Sequence, residues 1–354
     1  MSMAQRPIGS ADFLAGVPVP VNPEAMDREL SRLWKPVNLE DERGPSFTRA
    51  CLSNIIFHAL DVECCARANE LVQAVGRRFP SRMILLRQAC GMISANGSPL
   101  SAAITAVCHP STRGGPPICC EQITLAATDR SVEVGPMAAI SLLVPDLPVN
   151  LVLLSSNGLQ LVDLLSDVLD RVIFDSRELE ASALTRPLSV VKRCSGPAVD
   201  DLAWRDTIGW RMAVSEIFDE PVARDMLSTV RSIEFHHAEG SGVRAALLGG
   251  WFGARLNRDI LTVLVKAEGP SADPGQILSL RIDAGKQGGG AYVAVRRVDS
   301  AKMLHIEYHT EEFCVIPRTM PLRTESSAEL LGGALERTTH QAVLRESLER
   351  AVSL

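Results

Sequence analysis

Few residues in this chain have both the type and the spacing to do chemistry, and the sulfur and imidazole groups come first. Cys119-Cys120 invites redox or metal chemistry, because a thiolate is both a nucleophile and a soft ligand. Neighbouring residues of a strand point to opposite faces, so these two thiols cannot easily share one ion. A zinc site normally needs two ligand pairs at short spacing, such as Cys-x-x-Cys twice, and no Cys-x-x-Cys occurs. Three readings stand: buried structural cysteines, a redox-sensing thiol, or a metal ligand. Cys64-Cys65 falls in a helical pattern and reads as core. His305, Glu307 and His309 would share one face of a strand, a spacing that suits a metal or an ordinary polar sheet face. His236-His237 ends another candidate strand.

Phosphate and acyl chemistry have less to work with. No Gly-x-Gly-x-x-Gly follows a strand, no Gly-Lys-Ser/Thr occurs, and Gly288–Gly290 opens no helix. The Gly-x-Ser-x-Gly elbow is absent, although Gly240-Ser241-Gly242 has the look of a loop fragment. Ser155-Ser156-Asn157-Gly158 sits between an apolar strand and a helix, where ligands bind at the carboxyl ends of an α/β sheet. A turn with a helix cap explains it equally well. These residues assign no catalytic group, no cofactor and no metal.

Trp204-Arg205 and Trp210-Arg211 repeat at a six-residue spacing in a helical pattern. Trp and Arg dominate binding hot spots. Packing between domains is the competing account.

The elements that must position these groups follow from composition and periodicity. A chain of 354 residues suggests two domains. Its 46% hydrophobic and 22% charged residues suit globular cores, and with only 4% aromatics those cores must be built from aliphatic side chains. A net charge of −6 argues against a nucleic-acid footprint. The first twenty residues lack a signal pattern, and no run of about 18 apolar residues suggests a membrane span. A cytoplasmic setting with reduced thiols is therefore expected, and the odd count of nine cysteines fits a closed disulfide framework poorly.

The fold class expected is α/β, with two α/β domains. Residues 1–44 form an arm with a short helix near Pro23–Trp34, followed by an N-terminal domain over 45–185 and a C-terminal domain over 190–354. In the first domain, Cys51–Leu60, Val62–Phe79 and Met83–Leu86 read as strand, helix and strand, which implies a parallel pair with a crossover. Strands at Ser101–Cys108 and Ile118–Ala126, a helix at Val132–Val144, a strand at Val149–Leu154, a helix at Gly158–Val168 and a strand at Arg171–Asp175 complete a largely parallel sheet. Residues 177–200 read as a boundary. The second domain reads as a helix pair over Asp201–Phe218, a helix at Pro221–Val230, then strand, helix and strand to Lys266. Three strands follow, at Ile277–Asp283, Ala291–Val298 and Met303–Tyr308, giving a mixed sheet with an antiparallel portion. A long C-terminal helical region, Ser327–Val352, closes the chain, with Gly332-Gly333 as its expected break.

Four segments carry a resemblance. Cys119-Cys120-Glu121-Gln122-Ile123-Thr124-Leu125, Leu142-Leu143-Val144-Pro145-Asp146-Leu147-Pro148-Val149, Asp170-Arg171-Val172-Ile173-Phe174-Asp175-Ser176, and Asp201-Leu202-Ala203-Trp204-Arg205 with Gly209-Trp210-Arg211 occur in this order. Together they resemble the OpcA family, the glucose-6-phosphate dehydrogenase assembly proteins. The resemblance spans most of residues 45–350. It implies a non-catalytic accessory protein of the oxidative pentose phosphate pathway that binds glucose-6-phosphate dehydrogenase and promotes its active oligomer. Thioredoxin is a further partner implied by cyanobacterial members. Carried over residue by residue, it marks Cys119, Cys120, Glu121, Gln122, Asp146, Pro148, Asp175, Ser176, Asp201, Trp204, Trp210 and Arg211 as partner-binding candidates, and Arg205 joins them as a hot-spot residue type. A sugar-phosphate-binding or sugar-phosphate-processing protein built on the Ser155–Gly158 loop is the alternative.

Overall fold

In the computed structural model, the described residues are 14, 16–34, 47–88, 100–111, 114–127, 133–154, 158–267, 275–285, 290–298, 302–310, 315–336 and 342–354. The chain divides into two compact units. The first comprises 1–174, 193–198 and 331–338; the second comprises 175–192, 199–330 and 339–354.

In the first unit the described part of the arm, 14 and 16–34, is structured. It contributes β1 (Val19–Val21), a 3-10 turn and α1 (Met26–Leu33), with Val19, Met26 and Leu30 buried. After β2 (Thr48–Arg49) comes β3 (Asn54–Ala59), whose Ile55, Ile56 and Phe57 are fully buried. Each contributes about 1.5–3 kcal/mol on leaving water. α2 (Val62–Gly76) crosses over to β4 (Arg82–Gln88), and β3 and β4 pair in parallel, as the strand–helix–strand pattern predicts. Gly76 ends α2 where a Cβ would come 3.1 Å from Met83 and 3.2 Å from His109, so a side chain would crowd its neighbours.

β5 (Leu100–His109) and β6 (Ile118–Ala127) form an antiparallel pair, and β6 runs parallel to β4. α3 (Val134–Ser141), β7 (Val149–Leu153), α4 (Leu159–Leu165) and β8 (Arg171–Phe174) follow, with β7 parallel to both β3 and β8. The stretch expected as a boundary is itself structured: it holds a 3-10 turn, α5 (Thr185–Arg193) and β9 (Ala198–Asp201). The sheet order is β1-β5-β6-β4-β3-β7-β8-β9, with β2 beside β6. Its centre is parallel, and β1 and β5 run antiparallel to their neighbours.

The second unit, which takes in 175–192 and most of α5, continues with α6 (Leu202–Asp206) and α7 (Ile208–Asp219), the expected helix pair, and α8 (Pro221–Met226). β10 (Ser232–His237), α9 (Gly242–Leu256) and β11 (Leu261–Lys266) form a parallel strand–helix–strand unit. β12 (Ile277–Asp283), β13 (Tyr292–Val298), β14 (Met303–His309) and the unforeseen β15 (Arg318–Pro321) add antiparallel strands. The order is β11-β10-β12-β13-β14-β15.

Two expectations are corrected. The C-terminal region is two helices, α10 (Ser327–Glu336) and α11 (Ala342–Ala351), and Gly332-Gly333 lies inside α10. At Gly332 an added Cβ would stand 3.2 Å from the Phe79 ring, so this glycine serves a close approach and breaks no helix. The thiols are also not all reduced: Cys108 and Cys119 form a disulfide. The antiparallel register of β5 and β6 sets them directly opposite each other, with Cα atoms 4.0 Å apart. Cys51, Cys64, Cys65, Cys120 and Cys194 are in no disulfide.

Candidate functional site

The sheet of the first unit reverses its strand order beside β3, with β4 on one side and β7 on the other. In open α/β sheets, the carboxyl ends of two such strands flank the crevice where ligands bind, and the following helix offers its N-terminal amides to a phosphate. Here the described residues place an acid at the start of that helix. Asp61 caps α2, its Oδ1 accepting from the Cys64 amide at 2.7 Å. The amide hydrogen bond, more than any other influence, holds the Asp61 carboxyl below its usual range, so it stays anionic. Arg67 donates to the Leu154 carbonyl at 2.7 Å, and the Cys64 thiol donates to the same oxygen at 3.5 Å. The Leu154 amide in turn donates to His58 O at 3.3 Å. α2 is thus bonded to the residue that follows β7, and its first amides are capped by an anionic carboxylate.

The resemblance residues gather in three places. The first surrounds Glu121 on β6, which is 3% exposed. Its carboxylate accepts from Arg82 Nε at 2.6 Å, from Arg49 Nη2 at 2.9 and 3.1 Å, and from Trp34 Nε1 at 2.7 Å. Arg49 also lies over the Trp34 ring at 5.1 Å, and Arg82 donates to Leu142 O at 2.6 Å. One carboxylate therefore ties the arm, β2, β4 and the end of α3 together. On either side of Glu121, Cys120 is buried with its thiol donating to Val107 O, and Gln122 Nε2 donates to Asn69 at 3.4 Å. Burial pushes the Cys120 thiol up to about 11, so it is a poor nucleophile.

The second place is the turn at residues 144–148. Asn54 holds it, donating to Val144 O and Leu147 O and accepting from the Val144 amide at 2.8 Å. Asp146 adopts a left-handed backbone (φ 60°), as a tight turn requires, and both Asp146 and Pro148 are exposed.

The third lies in the second unit. Asp201, fully buried, caps α6 through the Ala203 amide (3.0 Å) and accepts from the Ser176 amide (3.1 Å) and hydroxyl (2.6 Å). Burial raises its carboxyl to about 7 against the pull of these donors, and nearby Asp175 adds to the rise. Around it lie the ion pairs Asp175–Arg177 (2.7 Å), Asp200–Arg205 (3.0 Å) and Asp206–Arg244 (2.7 Å). Trp204 and Trp210 are buried at 2% and 3% exposure. Arg211 stacks 3.6 Å from the Trp204 ring centre and donates to Trp204 O and to Thr207. Of the thirteen candidates, Asp146 and Pro148 are exposed, Arg205 and Arg211 half-buried, and the other nine buried.

The remaining sequence candidates are spread out. Ser155–Asn157 lie outside the described residues, and Gly158 stands against Leu153. His305, Glu307 and His309 do share a face of β14, where Glu307 lies 3.6 Å from Arg296 and His309 stacks on Tyr292. Among the described residues no group of three acidic, His or Cys side chains is placed to hold a metal. A polar groove of about 890 Å³ in the second unit borders the glycine face of α9, but its Arg350 is engaged by Asp259 and its Arg258 by backbone carbonyls. No helix among the described residues is long and apolar enough to cross a membrane. Sequence reasoning missed Asp61 and Arg67; an Asp three residues before Cys64 at a helix start was the available signal.

Comparison with known proteins decides the family. Residues 72–189 match a model described as the glucose-6-phosphate dehydrogenase subunit N-terminal domain, and residues 197–348 match that of the C-terminal domain. The chain belongs to the OpcA family. The OxPP cycle protein OpcA of Nostoc punctiforme is 28% identical over 194 residues, covering 52% of this chain and 40% of that protein. Its namesake in Synechococcus elongatus is 27% identical over 217 residues, covering 60% and 47%. In these matches the chain spans less than half the length of either OpcA relative. Among solved structures, a 3-ketoreductase from Actinomadura kijaniata gives a TM-score of 0.45 at 11% identity, covering 84% of this chain and 94% of the other. UDP-N-acetylglucosamine 3-dehydrogenase from Acidithiobacillus ferrooxidans gives 0.41 at 8%, covering 87% and 96%. Overlaps this loose carry no argument about activity.

Proposed function

We propose that this protein is a non-catalytic accessory subunit that binds glucose-6-phosphate dehydrogenase and favours its active oligomer. The family descriptions point to that enzyme as the partner. The observation that supports the non-catalytic part is the acid-capped start of α2. Asp61 supplies the negative charge at the start of α2, and Arg67 bonds α2 to the end of β7. A dinucleotide would have to displace a capping carboxylate and desolvate its phosphates beside it.

In this reading the buried resemblance residues set the frame, and Asp146, Pro148, Arg205 and Arg211 are the candidates that a partner can reach. Activation needs only a preference for the active enzyme state; about 1.4 kcal/mol shifts that equilibrium tenfold. The test is size-exclusion chromatography of the chain mixed with its organism's dehydrogenase, beside thermal shifts of the chain alone with NADP, glucose 6-phosphate and 6-phosphogluconolactone. Co-elution with no ligand shift is expected. Stabilisation by a sugar phosphate in the absence of the enzyme would favour a sugar-phosphate protein instead.

A further inference from the structure

We propose, resting on the accessory-subunit reading, that the outer face of α3 and the turn after it dock an apolar patch rimmed by Lys and Arg on glucose-6-phosphate dehydrogenase. α3 reads Val134-Gly135-Pro136-Met137-Ala138-Ala139-Ile140-Ser141, with one polar side chain and no charge, and Leu142-Leu143-Val144-Pro145 prolongs the run. A helix that is apolar on every side is normally buried on every side. α3 is buried on one side alone. Gly135, Pro136 and Ala139 are its buried face, where it packs on β4 and β6 and beside α4. A Cβ at Gly135 would already stand 3.1 Å from Leu86 of β4, so the approach is close. On the opposite side Val134 is 41% and Met137 57% exposed, and no described element covers them. Neighbouring α4 adds Leu164, also exposed.

Charge selects the occupant. From Glu133 to Asp170 the chain holds five acids and no Lys, Arg or His. Glu133 stands just before α3, Asp146 in the turn after it, Asp163 on α4 and Asp167 just past it, all four exposed. Asp163 is paired with Arg193. Glu133, Asp146 and Asp167 make no ion pair among the described residues. An apolar centre inside an acidic rim is complementary to an apolar centre inside a basic one. A second copy would set this rim against its own image, acid facing acid. Nucleic acid and anionic membranes are disfavoured by the same sign of charge.

The turn is ordered before contact. Fully buried Asn54 bonds to Val144 and Leu147, and Pro145, Asp146 and Pro148 are held exposed above it. A segment fixed in advance loses little freedom on docking. Met137, unbranched and polarizable, adapts to the contour of a partner. α3 and the turn both lie inside 72–189, the stretch that matches the dehydrogenase subunit's N-terminal domain.

Surface plasmon resonance of the full chain on its organism's dehydrogenase tests this. Wild-type affinity should fall as salt rises from about 50 to about 500 mM. Met137→Lys sets a cation against the basic rim and should weaken binding by about tenfold or more, with unchanged circular dichroism because the side chain is exposed. Glu133→Gln with Asp146→Asn should slow association several-fold and flatten the salt dependence; Asn tolerates the left-handed backbone at 146. Leu261→Lys, at an exposed apolar residue of the second unit, should bind as the wild type does. A folded Met137→Lys variant that binds as tightly as the wild type, or an affinity that rises with salt, would overturn the proposal and leave the accessory-subunit reading standing. A wild type that fails to bind the enzyme would overturn both. Self-association of the wild type that Met137→Lys abolishes, with enzyme binding intact, would give the face to a second copy and overturn the proposal alone.

Discussion

Glu121 in the first unit and Asp201 in the second are both carboxylates sealed from water inside family-resemblance segments, yet they are held in opposite ways. Glu121 is gripped by two guanidinium groups and an indole N–H, so its charge is answered by charge. Asp201 is held by two backbone amides and a hydroxyl, all neutral donors, with the carboxylate of Asp175 nearby. Burial wins there, and the group takes up a proton near neutral pH. The contrast separates two uses of a buried acid: one ties distant segments with a permanent ion cluster, the other pins two adjacent turns and titrates.

The largest effect should come from Glu121→Ala, which leaves the buried Arg82 without its counter-charge. A loss of about 3–5 kcal/mol is expected in chemical denaturation, since breaking a buried pair strands the remaining ion. A loss under about 1 kcal/mol would remove the cluster from the account.

Asp201 sharpens the comparison through pH. Its folded value of about 7 lies above the usual 3.8, so the native state keeps a proton that the unfolded chain releases. That stabilisation is full below about pH 4 and is lost as pH rises through 7. The wild type should therefore lose stability relative to Asp201→Asn between pH 5 and 8, by up to a few kcal/mol. A pH-independent gap between the two would contradict the raised value.

Two smaller effects return to Glu121. Trp34→Phe removes one hydrogen bond to a charged acceptor, costing about 1.5–3 kcal/mol or less because Trp34 is only half-buried, and should speed tryptic cleavage at Arg28 and Arg32 as the arm loosens. Arg49→Ala, whose side chain is 47% exposed, should cost under about 1 kcal/mol and less in high salt. If Arg49→Ala proved as costly as Glu121→Ala, the cluster would not be centred on Arg82.

Much of this fold is legible in the sequence because long elements announce their period. The Val62–Gly76 helix, the apolar strands at Asn54 and Val149 and the helix pair after Asp201 were all expected within a few residues. What escaped has little local signal. β2 and β15 span two and four residues, too short for alternation to register. The Cys108–Cys119 bond depends on the β5–β6 register, which pairs residues eleven apart and is invisible to a count of cysteines. Gly332 reads as a breaker until the Phe79 ring is placed against it. At the candidate sites, Trp and Arg types suggest a surface, whereas Trp204 and Trp210 lie inside and Arg211 is held on Trp204. Whether a Trp packs inward depends on tertiary burial, which residue type does not carry.

The central claim is that this chain works on another enzyme and transforms no metabolite itself. Titrating purified glucose-6-phosphate dehydrogenase with it and following NADPH formation tests this most directly. The account predicts a saturable rise in activity or a fall in substrate requirement, with no turnover by the chain alone. A flat titration across oxidised and reduced conditions, or turnover without the dehydrogenase, would contradict it.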